Sequence, residues 1–235
     1  MISNIVSIKL MRDRNRWDFA SYHPNYETAL GVIRSSKWKV YKLGELAEYF
    51  KYGASIPADY VEEGILFLRA QNIRESGIDL ADTCYIDGKA YDLTRYILAA
   101  GDIIITRSGI NVGEAAVITP EIAGSAHGSY SIRLRISNSE VSPEYVAWSI
   151  NSPLVKAQIM ALKSRSAQPN INISELSSLQ IIVPPIEYQA RVVQIMKTAY
   201  EVRRQKLIEA DEVVDKAKLE VEKIMLGEIP DEKRQ

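Results

Sequence analysis

Side chains able to read the edges of bases gather in four polar stretches of this chain. Arg69, Gln71, Asn72 and Arg74 follow an apolar run, and Arg107, Ser108 and Asn111 sit around a glycine-marked turn. His127, Ser129 and Tyr130 come soon after Gly124, while Arg165, Gln168, Asn170 and Asn172 surround Pro169. In the DNA major groove an arginine fork matches guanine O6 and N7, and a carboxamide matches adenine N6 and N7. Lys51, Tyr52 and Ser55 add a cation and two hydroxyls suited to phosphate oxygens. Taken singly, each of these residues reads equally well as a solvated loop or an Asx turn. Asn170 and Asn172 also fit caps of the strand that precedes the long helix. The clustering is what points to nucleic acid.

Residue types for catalysis are poorly represented. A methyltransferase acting on adenine needs a Pro-Pro-aromatic motif, but here Val183-Pro184-Pro185 is followed by Ile186. No glycine-rich turn follows a strand as a phosphate or cofactor cradle would require. Asp87-Gly88-Lys89, with Asp79 or Asp82 upstream, is a nominal nuclease match of a kind that arises by chance. With two histidines, His23 and His127, neither a zinc site nor a histidine-based nucleophile is supported. The expectation is a chain with no catalytic residues, no metal and no cofactor of its own.

Short strands must position those loops. Residues 38–43, 64–69 and 101–106 read as strands, residues 43–49 as a helical turn, and residues 71–74 as a polar turn. Gly109 and Gly113 bracket a hairpin. Residues 129–136 alternate, with Ile132, Leu134 and Ile136 on one face and Arg133 and Arg135 on the other, which predicts a half-exposed strand. Such strands, punctuated by glycine, predict a curved sheet or partial barrel. Ser142-Pro143 and Ser152-Pro153 each combine a serine cap with proline at the first helical position, starting two short helices. Pro24 opens another, with Trp17, Phe19, Tyr22 and Tyr26 available to pack it on the main body.

A strand at residues 179–183 stops at Pro184-Pro185, and from Ile186 to Leu226 neither proline nor glycine intervenes. Ile186, Val193, Tyr200, Leu207, Val214 and Val221 recur every seven residues. Three residues after each come Gln189, Met196, Arg203, Ala210, Ala217 and Ile224. This is a heptad seam on a rod of roughly 60 Å at 1.5 Å per residue. A seam of that length needs a partner helix. Val193, Met196, Tyr200, Leu207, Ala210, Val214, Ala217 and Val221 are its expected dimerisation residues.

Of the 235 residues, 46% are apolar and 25% charged, as in a globular protein. No apolar run is long enough to cross a membrane, and a lone Cys84 excludes a disulfide framework, so a cytoplasmic setting is expected. The net charge of −1 predicts modest non-specific attraction to phosphates, fitting a subunit that holds DNA together with others.

Residues 38–44, 67–77, 101–113 and 164–194, in that order and spacing, resemble one half of a specificity subunit of Type I restriction-modification systems. The Gly101-Asp102-Ile103-Ile104 segment and the tip at Arg107 to Gly109 are similar to a Gly-Asp-Ile-Leu segment of that family. Gln189 matches the glutamine that follows its proline pair. The resemblance implies an α+β fold, with one mixed-sheet target recognition domain followed by a single long coiled-coil helix. The implied divisions are a residue 1–36 extension, a 37–185 recognition domain, a 186–227 spacer helix and a 228–235 tail. It also implies a non-catalytic subunit bound to double-stranded DNA and to a methyltransferase subunit that carries S-adenosylmethionine. A restriction-translocase subunit is a further implied partner. A family member has two recognition domains, so one such half implies a homodimer reading a bipartite target. The alternative is a coiled-coil scaffold whose head binds protein or another ligand.

Overall fold

A computed structural model describes residues 24–57, 59–163 and 169–228. The first half of the order is α1 (Pro24–Arg34), β1 (Lys39–Lys42), α2 (Leu43–Leu46), β2 (Ala47–Tyr52), β3 (Tyr60–Val61), β4 (Ile65–Leu68), β5 (Ile73–Arg74), β6 (Gly77–Ile78) and β7 (Tyr85–Ile86). It continues with β8 (Ile103–Thr106), β9 (Ala115–Val117), β10 (Ala126–His127), β11 (Ser131–Ile136), α3 (Pro143–Asn151), α4 (Pro153–Leu162), α5 (Ile173–Ser177), β12 (Gln180–Val183) and α6 (Ile186–Met225).

Strand β8 organises the head because both its faces are covered. Side chains alternate across a strand, so Ile103 and Ile105 enter one core and Ile104 another. The first core joins Ile132 and Leu134 of β11 to Val146, Ile150, Val155 and Ile159 of helices α3 and α4. The second packs Ile104 against Leu68, Ile73, Leu98 and Ile118. The β2-β11-β8-β9 sheet is antiparallel throughout. A second sheet, β10-β4-β7-β3, is mixed, since β10 runs parallel to β4. Two four-stranded sheets and the two-stranded pairs β1-β12 and β5-β6 thus stand where a curved sheet or partial barrel was expected.

The other face of β11 departs from the sequence expectation. Arg133 is buried rather than solvated, and its Nε lies 2.8 Å from Asp102. Arg135 reaches the other oxygen of the same carboxylate at 2.7 Å. Fully buried Asp102 also accepts from the Ala99 N–H at 2.7 Å, and Arg133 donates to the Ile97 carbonyl at 2.8 Å. Both guanidinium groups lie over the Tyr49 ring, at 5.2 and 5.4 Å. A carboxylate with two cations and a backbone donor satisfies the rule that buried charge must be paired.

Ser142 and Ser152 cap α3 and α4 as expected, accepting from the N–H groups of Tyr145 and Val155. The turn at residues 43–46 is shorter than its expected span, and Ala47 already begins β2. Helix α5 was not anticipated. Asn172 Oδ1 accepts from the Glu175 N–H while Glu175 accepts from the Asn172 N–H, both at 2.9 Å, forming a capping box. Helix α1 buries Ala29, Leu30 and Ile33 and packs on α4 and β12. Tyr26 is half-buried, and Trp17, Phe19 and Tyr22 lie outside the described residues.

Strands β1 and β12 pair antiparallel from Lys39 opposite Val183 to Lys42 opposite Gln180. The chain thus enters and leaves the head along one ribbon. Pro184 and Pro185 end β12, and α6 starts at Ile186. Gln189 in its first turn is fully buried. Its amide donates to the Glu140 and Pro184 carbonyls at 2.9 and 2.8 Å and accepts from the Ser142 N–H at 2.9 Å. The residues from Gln194 onward form a separate unit, which among the described residues is the remainder of this helix and a turn at residues 226–228.

Candidate nucleic-acid interface

Past Thr106 the chain makes a tight excursion and returns to β9. The Thr106 N–H donates to Glu114 and its carbonyl accepts from Gly113, at 2.9 and 2.8 Å. Gly109 and Gly113 have φ of 100° and 87°, a region glycine enters without strain. Val112 is buried and plugs the loop from beneath. On one side the Gly109 N–H donates to Pro169 at 3.1 Å, the Ile171 N–H donates to Arg107 at 2.9 Å, and Ser108 bridges to Asn170. On the other, the Arg107 N–H donates to Tyr130, the Ser129 N–H to Ala54 and the Ala54 N–H to His127, at 2.8–2.9 Å. Gly53 passes so close to Gly128 that an added Cβ would overlap its carbonyl. Backbone hydrogen bonds and close packing thus fix residues 52–55, 107–113, 128–130 and 169–171 at one edge.

That edge presents several of the residues anticipated from sequence. The Arg107 guanidinium stacks 4.7 Å above the Tyr52 ring, with one long bond of 3.4 Å to the Ser129 carbonyl. Its Nε has no partner, and no carboxylate pairs with it among the described residues. Stacking pre-orients the planar fork without using its donors. Tyr52 and Tyr130 are exposed beside it, while Ser108, Asn111 and Asn170 are half-buried. Lys51, over the Tyr49 ring at 4.5 Å, and Ser55 are exposed on the adjoining segment.

The Arg69 cluster is arranged differently. Arg69 pairs with Asp82 at 3.0 Å and donates to its carbonyl at 2.9 Å, and Gln71 donates to the same carboxylate. Arg74 is half-buried in the β5–β6 hairpin. Asn72 is a correction to the sequence reading. It is buried, with its amide donating to the Asp79 and Asp82 carbonyls and its oxygen accepting from the Arg69 N–H. It holds a loop together and presents nothing to a base.

His127 is a second correction. It is fully buried, with Nδ1 2.9 Å from the Ser131 hydroxyl. That hydroxyl donates to the Gly128 carbonyl, which assigns the proton to Nδ1 and leaves Nε2 bare and unpartnered. Burial first, and the nearby Arg133 charge second, hold its pKa down to about 4. The unfolded imidazole titrates near 6.5, so between about 6.5 and 4 the unfolded chain takes up a proton that the folded head refuses. Stability should therefore fall as pH drops through that window, by roughly 3 kcal/mol at its lower end. Urea titrations at pH 7.5, 5.5 and 4.5 check this, and His127→Gln should flatten the dependence.

Arg165 and Gln168 lie outside the described residues. Along the expected seam, Val193, Met196 and Tyr200 are half-buried. Leu207, Val214 and Val221 are 49%, 51% and 54% exposed, with Ala210 and Ala217 exposed between them. Gln189 falls in seam register but is bonded into the head instead. The sequence reading missed the Asp102 centre, and its signal was two arginines alternating with apolar residues in a strand that had a lone aspartate nearby.

The head and its long helix are similar to known proteins. A family model described as "Type I restriction modification DNA specificity domain" matches residues 35–210. A putative type I restriction enzyme MjaX specificity subunit from Methanocaldococcus jannaschii is 26% identical over 174 residues, 72% of this chain and 41% of that protein. The EcoKI specificity subunit of Escherichia coli K12 is 25% identical over 132 residues, 54% of this chain and 28% of its own length. The chain thus spans less than half the length of these relatives. The crystal structure of the HsdS subunit from Thermoanaerobacter tengcongensis shares the fold, with a TM-score of 0.54 at 19% identity, over 80% of this chain and 47% of that one. The S subunit from M. genitalium gives a TM-score of 0.52 at 16% identity, over 88% and 52%. The α+β class with a long C-terminal helix, expected from sequence, is the fold observed. With a matched region that takes in the whole sheet-bearing head and the root of the helix, this chain belongs to the family of Type I restriction-modification DNA specificity domains.

Proposed function

We propose that this chain reads DNA sequence for a Type I restriction-modification system and leaves the chemistry to partners. The observation that carries the reading is the edge around Arg107, where backbone-fixed loops present a stacked guanidinium that no carboxylate neutralises among the described residues. Tyr52, Ser55, Lys51, Ser108, Asn111, Tyr130 and Asn170 complete the surface. Arg69, Gln71 and Arg74, tied to or near acidic groups, take a flanking role. Arg165 and Gln168 are assigned to base reading by their residue types alone. Residues 37–185 do the reading, and 186–227 serve as a spacer helix.

The partner is a methyltransferase subunit that binds S-adenosylmethionine and modifies adenine, with a restriction-translocase subunit joining the same complex in the cytoplasm. Two copies pair through the seam from Val193 to Val221 and read a bipartite, near-palindromic site, the two-fold axis of the dimer being mirrored in the DNA. Among the described residues no three His, Cys, Asp or Glu are grouped as metal ligands would be, and no helix is long and apolar enough to cross a membrane.

Long-read sequencing of the host genome for methylated adenine, with and without this gene, tests the proposal. Loss of one bipartite motif is expected, and an unchanged methylome sinks it. Arg107→Ala should relax the preference at one base pair per half-site, weakening binding by about 1–3 kcal/mol per lost bidentate contact. Competition binding with single-base variants of the motif checks this, and unaltered discrimination removes Arg107 from the reading surface.

A further inference from the structure

Ile110 is wholly exposed, at 100% of its reachable surface, on the loop that carries Arg107. The loop beneath it is built to hold still. Val112 is buried, the Gly109 N–H is bonded to Pro169 and the Asn111 carbonyl accepts from the Glu114 N–H at 3.0 Å. Ile110 is β-branched and stiff at χ1. A rigid loop therefore projects a pre-shaped apolar knob among hydrogen-bonding groups: Arg107 three residues before it, Asn111 after it, and the Ser108–Asn170 bridge beside it.

On the major-groove edges of the base pairs the apolar group is the C5-methyl of thymine, and aliphatic side chains contact it directly. We infer that Ile110 is a specificity-determining residue that reads a thymine methyl next to the base pair met by Arg107. The inference rests on the DNA-reading function proposed above. An apolar wedge driven between base steps is the other known use of an exposed isoleucine, but wedges enter from the minor groove. The minor groove offers no bidentate guanine partner for the stacked fork of Arg107, which sits on the same loop. The two residues make sense together in the major groove.

The test uses the full chain assembled with its methyltransferase subunit and duplexes carrying the methylated motif. Each thymine is replaced in turn by deoxyuridine, which deletes the methyl and keeps every hydrogen bond. One position per half-site should lose about fourfold in affinity, the transfer free energy of a single methyl-sized group expressed as a ratio. Ile110→Ala should bind the thymine and uracil duplexes equally, while Ile110→Val should keep part of the difference. Because the side chain is fully exposed, both variants should melt with the wild type, and a melting comparison verifies it. Indifference of the wild type to every replacement, with discrimination between target and non-target DNA intact, overturns the inference and leaves the function standing. A thymine effect that persists undiminished in Ile110→Ala also overturns it. A complex with no sequence preference at all removes both.

Discussion

Asp102→Ala should destabilise the head by about 3–5 kcal/mol, a large share of the 5–15 kcal/mol typical of a domain. The deleted carboxylate is fully buried and balances Arg133, whose side chain is almost as inaccessible. Arg135 stands at the rim and can turn to water, whereas Arg133 cannot. What remains is an uncompensated buried cation, and the Ala99 N–H loses its acceptor. Urea denaturation followed by tryptophan fluorescence gives the size of the loss. Asp102→Asn should fall between, because an amide oxygen still accepts from Ala99. The double variant Asp102→Ala, Arg133→Met should recover much of the stability, since removing both charges is far milder than removing one. A double variant no more stable than Asp102→Ala counts against the ion pair as the cause.

Leu207→Asp with Val214→Asp should split the proposed dimer into single copies while leaving the head intact. In one chain these side chains are about half exposed, at 49% and 51%, and sit two helical turns apart with Ala210 between them. Small residues at the intermediate seam position let a second helix approach closely. Each aliphatic group so covered contributes on the order of 2 kcal/mol. Losing two, and placing carboxylates in the seam, should raise the dissociation constant more than about a thousandfold. Light scattering should register half the wild-type mass, with the head's near-ultraviolet circular dichroism unchanged. An unaltered mass would show that the seam does not hold two copies together.

Much of the fold was legible because local chemistry decided it. Ser-Pro pairs start α3 and α4, Pro184-Pro185 stops β12, and forty residues free of proline and glycine make α6. The division of the strands into two four-stranded sheets and two smaller pairs was not legible, because pairing partners such as Ala126 and Phe67 lie far apart in sequence. The same distance hid the site's internal logic. Arg107 and Arg133 are alike in sequence, yet one stacks on exposed Tyr52 and the other is sealed against Asp102 thirty-one positions away. Asn72 and His127 have the residue types of base readers, and burial alone reassigns them. Helix α5 was legible in principle from Asn172 and Glu175, which spell a capping box that the reading passed over.

The ribbon of β1 and β12 has an evolutionary consequence. The segment between Lys42 and Gln180 leaves and rejoins the ribbon through four paired positions, and it is also held by α1 against α4 and by the Gln158 amide, which bonds both main-chain groups of Gln180. The latch at the helix root uses main-chain partners alone, since Gln189 grips the Ser142 N–H and the Glu140 and Pro184 carbonyls. An exchanged segment would meet that grip wherever its main chain passed the same points. It would also have to offer α1 an apolar face for Ala29, Leu30 and Ile33, so exchange is free at the latch and constrained at the first helix.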